Sequence, residues 1–156
     1  MPATTAANGL KATEQACIES HINALTQATL AENELILVFE DDFELCDDFD
    51  NELQKCLSEL PANWNGLWLG GRVKGLREPY SENLVRITAT SGSFGYLVKK
   101  SFVPALLYQL NKRNMVADWA KSRAFKNVFR SKKNLVKHRY GYSYIQNKHV
   151  QYPDLR

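Results

Sequence analysis

The stretch that most constrains the fold is LILVFEDDFEL, residues 35–45, in which five apolar residues run directly into Glu40, Asp41 and Asp42. A continuous apolar run without alternation predicts a β-strand that is buried on both faces. Adjacent carboxylates repel one another, and in open α/β sheets ligands collect at the carboxyl ends of the strands. The stretch therefore predicts a buried strand that ends in an acidic site.

A divalent cation is one of two explanations for the acidic cluster. Mg²⁺ and Mn²⁺ prefer carboxylate oxygens and keep open positions for phosphate, so the cluster is compatible with a metal–diphosphate site. Acidic residues also precede helices as N-terminal caps, where they interact with the positive end of the helix dipole. The spacing alone leaves both explanations open.

The rest of the sequence predicts alternating helices and strands. In chain order they are a helix over 12–30, a strand over 32–39, a helix over 47–60, strands over 65–71, 83–90 and 91–98, a helix with Pro104 in its first turn that runs to about Leu110, a helix over 115–130 and a last strand over 140–146. This order predicts an α/β sandwich with a mostly parallel sheet flanked by helices. We expect a single domain over 1–156, with residues 1–9 as a disordered tail.

Charge is distributed unevenly along the chain. Residues 32–59 hold eleven of the seventeen acids, whereas residues 112–148 hold eleven of the twenty Lys and Arg residues. The asymmetry suggests a cation site in one half and an anion-facing surface in the other, and two solvated faces would give the same pattern. Three cysteines that fit no zinc spacing, and a start without the apolar core of a signal peptide, indicate a reduced, cytoplasmic setting.

Several motifs in order resemble those of glycosyltransferase family 25, which includes lipopolysaccharide and collagen galactosyltransferases. The segment EQACIESHINALTQATLAENELILVFEDDFEL is similar to the family's GEIGCALSHIKIWK segment, apolar strand and LEDD motif, and NGLWLGG and TATSGSFGYLVKKSFVPALL resemble later strands. The matching positions are Glu14, Cys17, Ser20, His21, Glu40, Asp41, Asp42, Thr90, Gly95, Tyr96, Leu97, Asp118, Gln146 and Asp154. The resemblance covers roughly residues 12–156.

The resemblance implies a compact or truncated GT-A-like (Rossmann-like) fold and a metal-dependent glycosyltransferase. The implied donor is a UDP-linked sugar, galactose or glucose, and the implied acceptor is a saccharide, a lipid-linked glycan or a protein. The implied cofactor is Mn²⁺ or Mg²⁺. In such folds the last acid of the motif binds the metal, so Asp42 is expected as the main ligand, with Glu40 and Asp41 assisting at the metal and the nucleotide.

Further site residues are predicted from chemistry beside the resemblance. An inverting hexosyltransferase needs a base for the acceptor hydroxyl, and Asp118, the isolated acid of the basic stretch, is our candidate; a surface aspartate paired with a lysine is the alternative. Arg72 and Lys74 are expected to bind the diphosphate. His149 is expected as a late metal ligand, because imidazole suits Mn²⁺, and an exposed histidine is the alternative.

The chain departs from the family pattern at its start. Family members begin with a nucleotide-binding strand such as VINLXRXXXR, and this sequence starts after that point. Either the chain is a minimal or truncated member, or another element supplies the base and ribose contacts. A non-catalytic glycosyltransferase-like binding or assembly module is therefore the alternative function.

The basic segment 115–137 is predicted to form an amphipathic helix. Such a helix can rest on an anionic membrane surface, which would suit a lipid-linked acceptor, or it can pack its apolar face on the sheet. The sequence contains no recognised nucleic-acid motif, so nucleic acid is not an expected partner.

Overall fold

The computed structural model describes residues 9–143 and 146–152. In these residues the helices are α1 (Ala12–Thr29), α2 (Phe49–Glu59), α3 (Val103–Asn111) and α4 (Ala117–Ser122). The strands are β1 (Leu35–Phe39), β2 (Phe43–Leu45), β3 (Gly66–Trp68), β4 (Arg72–Val73), β5 (Arg77–Pro79), β6 (Leu84–Ile87), β7 (Thr90–Ser91), β8 (Gly95–Lys99), β9 (Val128–Ser131), β10 (Val136–His138), β11 (Gly141–Ser143) and β12 (Lys148–Val150). The predicted disordered tail falls on residues 1–8, outside the described residues, apart from Gly9.

Residues close to the ends of the first three helices explain where these helices begin or end. The Glu14 carboxylate accepts a hydrogen bond from the Lys11 backbone N–H at 2.8 Å, which satisfies a donor at the start of α1. Pro61 follows the end of α2 closely, and Pro104 lies in the first turn of α3, where its missing N–H costs nothing. The predictions of these three helices are confirmed.

The main sheet has six strands in the order β1-β8-β3-β9-β6-β5, and it is mostly antiparallel. Only the β3–β9 pair of this sheet is parallel among the strands that the structure describes. The mixed α/β class is therefore confirmed, and the prediction of a mostly parallel sheet is wrong.

The physical reason for this error is the position of β8. Strands β1, β3 and β9 do run in the same direction, as the intervening helices predict, because β1 and β3 both pair antiparallel with β8 and β9 is parallel to β3. Strand β8 lies between β1 and β3 and separates them. Helix–strand alternation fixes strand direction but not which strands are neighbours.

A second prediction, the helix over 115–130, is wrong beyond its first turns. Helix α4 ends at Ser122, Asn127 has a φ of 52°, and the chain then enters β9 at the centre of the sheet. Val128 and Phe129 are fully buried there, so they cannot form the apolar face of a helix that rests on a membrane. The predicted membrane contact through residues 115–137 loses its basis. Across the described residues, no helix combines the length and apolar character that a bilayer span requires.

The sheet separates two apolar cores. Trp68, Tyr96 and Val98 face the core that α1 and α3 cover, whereas Leu67, Leu69 and Leu97 face the core that includes residues of α2. Neighbouring residues of β3 and β8 therefore point to opposite faces, as the period of a β-strand requires. Burial on both faces is consistent with the apolar sequences of these strands. The prediction that the run 35–39 is buried on both faces is wrong, because β1 is an edge strand of the main sheet and Leu35 and Leu37 are 42% and 41% exposed.

Candidate functional site

The acidic loop directly follows β1, and backbone hydrogen bonds hold it on both sides. The Glu40 N–H donates to the Phe94 carbonyl at 3.0 Å. On the other side, the Arg139 backbone N–H donates to the Asp42 carbonyl at 2.7 Å, and the Arg139 Nη2 donates to the Asp41 carbonyl at 3.1 Å. Because the loop carbonyls are engaged in this way, the three carboxylates are displayed from a fixed backbone.

The three acids line a cavity of about 660 Å³. Helix α1 contributes lining residues that include Cys17, Ser20 and His21, which match the first family segment, and the end of β1 and the segment 139–143 contribute others. The structure therefore brings the two matched family segments together around one cavity.

Asp42 carries the clearest electrostatic signature of the cavity. Its Oδ2 lies 3.3 Å from Nε2 of His138, while its buried Oδ1 accepts no hydrogen bond from the described residues. Burial raises the pKa of Asp42, and the charges of Glu40 and Asp41 raise it further, against the opposing effect of His138. A cation beside this carboxylate would relieve all three of the unfavourable effects.

The residues present fit a magnesium- or manganese-type ion only as a partial ligand set. Within residues 9–143 and 146–152, no three His, Cys, Asp or Glu side chains are grouped so as to hold a metal on their own. A fully preformed cage is not required, because Mg²⁺ is commonly held by one or two carboxylates and by phosphate oxygens of the substrate. Glu40 and Asp42 supply hard oxygen ligands of this kind, and the bare Oδ1 of Asp42 is the atom that lacks a partner.

His21 and Lys121 form a buried polar network behind Glu40. Nε2 of His21 lies 3.4 Å from Oε1 of Glu40 and 3.2 Å from Nζ of Lys121, and Nδ1 of His21 lies 3.0 Å from the Tyr96 hydroxyl. Burial and the charge of Lys121 lower the pKa of His21. A lowered pKa favours the neutral ring at neutral pH, and in the tautomer with its proton on Nδ1 the ring would donate to the Tyr96 hydroxyl and accept from Lys121 at Nε2.

Lys121 is fully buried and stays charged because of its neighbours. Burial lowers the pKa of Lys121, but Tyr96, Asp118 and Glu40 outweigh that effect and leave the pKa above its usual value. Its ammonium lies 3.4 Å from Oδ1 of Asp118 and 4.8 Å from the centroid of the Tyr96 ring. The carboxylate and the aromatic face offset part of the cost of burying this ammonium.

Asp118, the predicted base, is held at both of its oxygens. Its Oδ2 accepts a hydrogen bond from the Gly92 N–H at 2.7 Å, and its Oδ1 pairs with Lys121. Burial raises the pKa of Asp118, but the Lys121 charge and the hydrogen bonds from Ser93 and Gly92 outweigh it, so the pKa lies below its usual value. The carboxylate is therefore ionised at neutral pH, and its catalytic role stays a prediction. The lysine partner of the alternative interpretation is present, although the pair is not a surface pair.

The structure does not place Asp118, Arg72, Lys74 or His149 in the lining of the acidic cavity. Arg72 and Lys74 line a second cavity that shares no lining residue with the acidic one. His149 lies on β12, where its ring stacks on Tyr140 with centroids 5.6 Å apart and contacts Tyr142 edge-on at 5.4 Å. Its role as a metal ligand stays a prediction.

Sequence reasoning missed four side chains around the acidic cavity. His138 approaches Asp42, Arg139 fixes the acidic loop, and Tyr140 and Tyr142 line the cavity with exposed rings. Their common signal was the sequence KHRYGY, residues 137–142, which combines basic and aromatic residues before a predicted strand. The pairing of β2 with β10 brings this segment beside the acids, and nothing in the local sequence indicates that pairing.

The fold and cavity define a mixed α/β protein with an acidic cavity at the end of β1, an edge strand of the main sheet. The sequence model of the family described as glycosyltransferase family 25 (LPS biosynthesis protein) matches residues 2–121 of the chain. The chain belongs to glycosyltransferase family 25, and this membership indicates glycosyltransferase activity. No curated protein matches the chain.

Proposed function

We propose that the chain transfers galactose or glucose from a UDP-linked donor to a glycan acceptor in a reaction that depends on Mn²⁺ or Mg²⁺. The observation that carries the proposal is the buried, unpartnered Oδ1 of Asp42 beside Glu40, in a cavity large enough for a nucleotide sugar. Family membership supports the sugar donor and the glycan acceptor in general terms. The shared direction of β1, β3 and β9 supports a compact GT-A-like arrangement.

The acidic loop would bind the cation through Glu40 and Asp42. When bound, the cation neutralises charge that develops on the departing diphosphate. Arg139 fixes the loop so that the carboxylates need not reorganise, and the buried Lys121 places a positive charge behind Glu40. The polypeptide thus supplies a fixed polar environment for a leaving group with negative charge.

Tyr140 and Tyr142 are the residues that we assign to the nucleotide base or the sugar ring. Their rings are 59% and 44% exposed, both line the cavity, and His149 supports both of them. Stacking of a base on an aromatic ring stabilises binding by roughly 1–3 kcal/mol.

We further propose an inverting reaction in which Asp118 takes the acceptor proton. Its support is the ionised state of the carboxylate and its match to the family motif. Asp118→Asn tests this role, because the loss of a base removes turnover but leaves UDP binding intact. If donor hydrolysis and transfer persist in this variant, Asp118 only positions the Gly92 loop and Lys121.

The overall proposal is tested by nucleotide release from a panel of nucleotide sugars with Mn²⁺. Asp42→Asn should reduce release by about a hundred-fold or more, since stabilisation of the leaving group is worth several kcal/mol. Asp47→Asn, a charge-matched change at an exposed acid, should leave release unchanged. If no donor is turned over and calorimetry with UDP and Mn²⁺ shows no binding at millimolar ligand, the non-catalytic alternative stands instead.

A further inference from the structure

A second cavity, of about 480 Å³, is lined by basic side chains and is called the basic groove here. Its charged lining residues are Arg72, Lys74, Arg77, Arg130 and Lys132. Within the described part of the chain, no acidic residue lines it. Several cations around one concave surface concentrate positive potential and attract anions.

Arg130 gives the basic groove a built-in charge. Its side chain is buried, and its Nε and Nη2 donate to the Gly71 carbonyl at 3.0 and 2.8 Å. Its remaining acceptors are the carbonyls of Ser131 and Lys132 and the side-chain oxygen of Asn134. Every acceptor is neutral, so the guanidinium is hydrogen-bonded but its positive charge is not compensated by a carboxylate among the described residues.

The environment of Arg130 is strained electrostatically in a way that an anion would relieve. Burial and the neighbouring Arg77 lower the pKa of Arg130 to about 10, and at neutral pH the group remains charged. Burying a charge without a partner of opposite sign is costly. An oxyanion in the basic groove would stabilise Arg130 through its charge and would accept hydrogen bonds from the more exposed Lys74 and Arg77.

Two aromatic side chains separate the basic groove from the acidic cavity. The guanidinium carbon of Arg72 lies 5.1 Å from the centroid of the Tyr152 ring, and the Tyr152 ring contacts that of His138 at 4.8 Å. His138 in turn lies 3.3 Å from Asp42. These contacts link a lining residue of the basic groove, Arg72, to a lining residue of the acidic cavity, Asp42, although the two cavities share no lining residue.

We propose that the basic groove binds an oxyanion, a phosphate or a carboxylate, that is carried by the acceptor saccharide. This inference rests on the proposed function, since it takes the acidic cavity as the donor site. It gives Arg72 and Lys74 an anionic partner other than the donor diphosphate, because neither residue lines the acidic cavity. Binding of the acceptor anion would place the attached sugar at the boundary formed by Tyr152 and His138.

The test is a nuclear magnetic resonance titration of the full ¹⁵N-labelled chain with inorganic phosphate, glucose 6-phosphate and glucose. Phosphate should give saturable shifts in the amides of 71–77 and 130–134, glucose should not, and glucose 6-phosphate should compete with phosphate and also shift His138 and Tyr152. The double variant Lys74→Gln/Arg77→Gln should weaken phosphate binding by at least about ten-fold, because two charged contacts are lost and one alone is worth about that much. The control Lys112→Gln/Arg123→Gln removes the same net charge from exposed positions outside the groove and should leave binding unchanged.

Three outcomes would overturn the proposal. The first is the absence of saturable phosphate shifts. The second is equal weakening of phosphate binding by the control variant, which would show only a general charge effect. The third is displacement of phosphate by UDP with Mg²⁺, which would show that the groove binds the donor. Failure of the proposed function looks different. In that case UDP with Mg²⁺ would not shift residues 40–42, while phosphate would still saturate the basic groove.

Discussion

Nζ of Lys121 lies 3.2 Å from Nε2 of His21, and both side chains are buried. Through this contact the predicted base, Asp118, and the predicted metal ligand, Glu40, belong to one polar network. The charge of Lys121 helps to keep His21 neutral, and the neutral ring can accept a hydrogen bond from it. The network therefore has a defined protonation state that substitutions can disturb.

Lys121→Met should destabilise the protein by about 3 kcal/mol. The variant removes the ammonium but leaves the partly buried Asp118 carboxylate without its ion-pair partner, and breaking such pairs typically costs this much. It should also raise the pKa of His21, because a nearby positive charge is lost. Urea unfolding measures the first effect and NMR titration of the imidazole the second.

Two further variants separate the buried pair from a general loss of charge. Lys112→Met, at an exposed position on the end of α3, should change stability by no more than about 0.5 kcal/mol. Asp118→Asn combined with Lys121→Met should recover part of the loss, since no uncompensated charge is left. A stable single Lys121→Met variant would contradict the network.

His21 should make the protein lose stability as the pH falls below about 6.5. The pKa of His21 in the folded state is lowered, so the unfolded chain binds a proton in a range where the folded chain does not. The contribution is present above the unfolded pKa and is lost as the pH falls toward the folded pKa, by up to about 1.4 kcal/mol per pH unit. His21→Gln should remove this part of the slope in urea unfolding measured from pH 7 to pH 5. Parallel slopes for the two proteins would contradict the prediction.

Asp42→Asn should raise the melting temperature of the metal-free protein at neutral pH. The folded pKa of Asp42 is raised, so the wild type is stabilised by this group below its unfolded pKa and loses that stability as the pH rises through the folded pKa. Asparagine does not ionise, so the variant does not lose stability in this way as the pH rises. Thermal unfolding over pH 4–7 checks the sign.

Mn²⁺ should raise the melting temperature of the wild type but not that of Asp42→Asn. At a hundred times its Kd, a ligand of the native state adds about 2.7 kcal/mol, which raises the melting temperature of a domain of this size by roughly 5–10 °C. The wild type and Asp47→Asn should show this increase, and Asp42→Asn should not. An equal response in all three would remove Asp42 from the metal site.

Gly70→Ala should destabilise the protein by about 3 kcal/mol or more. A Cβ at position 70 would lie 2.0 Å from the Val136 carbonyl oxygen, which belongs to backbone that cannot move aside cheaply. Gly141→Ala is the matched control, because its nearest neighbour would be 4.0 Å away. Chemical unfolding of both variants should give a large loss for the first and less than about 1 kcal/mol for the second.

Tyr140→Ala should raise the KM for the nucleotide-sugar donor by about ten-fold with little change in kcat. The ring is proposed to stack on the base or the sugar in the ground state and in the transition state alike. Its removal should therefore weaken the binding of both states equally, which raises KM and leaves kcat unchanged. Tyr108→Ala, which removes a ring of similar exposure from α3, should leave both constants unchanged. A selective fall in kcat would show that Tyr140 acts at the reacting atoms instead.

The parts of the fold that the sequence predicted are those with a local cause. Helix α1 has its own capping carboxylate at Glu14, α3 has Pro104 in its first turn, and β1 is a continuous apolar run. Each signal lies within a few residues of the element that it specifies. The acidic loop was found in the same way, because Glu40, Asp41 and Asp42 are adjacent in the chain.

The parts that were wrong or missed depend on pairing between distant segments. The insertion of β8 between β1 and β3 decides the sheet type, and no local pattern encodes it. Residues 128–131 have apolar spacing compatible with a helix, but burial in the centre of the sheet overrides that preference. His138 and Arg139 reach the acids only because β10 pairs with β2.

Two strand pairs of the main sheet, β1 with β8 and β3 with β9, each join segments about 60 residues apart. Chains with such distant contacts fold slowly, since long loops must close before the contacts stabilise them. During synthesis, β3 cannot pair with β9 until residues 128–131 have left the ribosome. The hydrogen bond between Arg139 and the acidic loop can form only later still. The acidic cavity therefore cannot be complete before the segment around Arg139 has been synthesised.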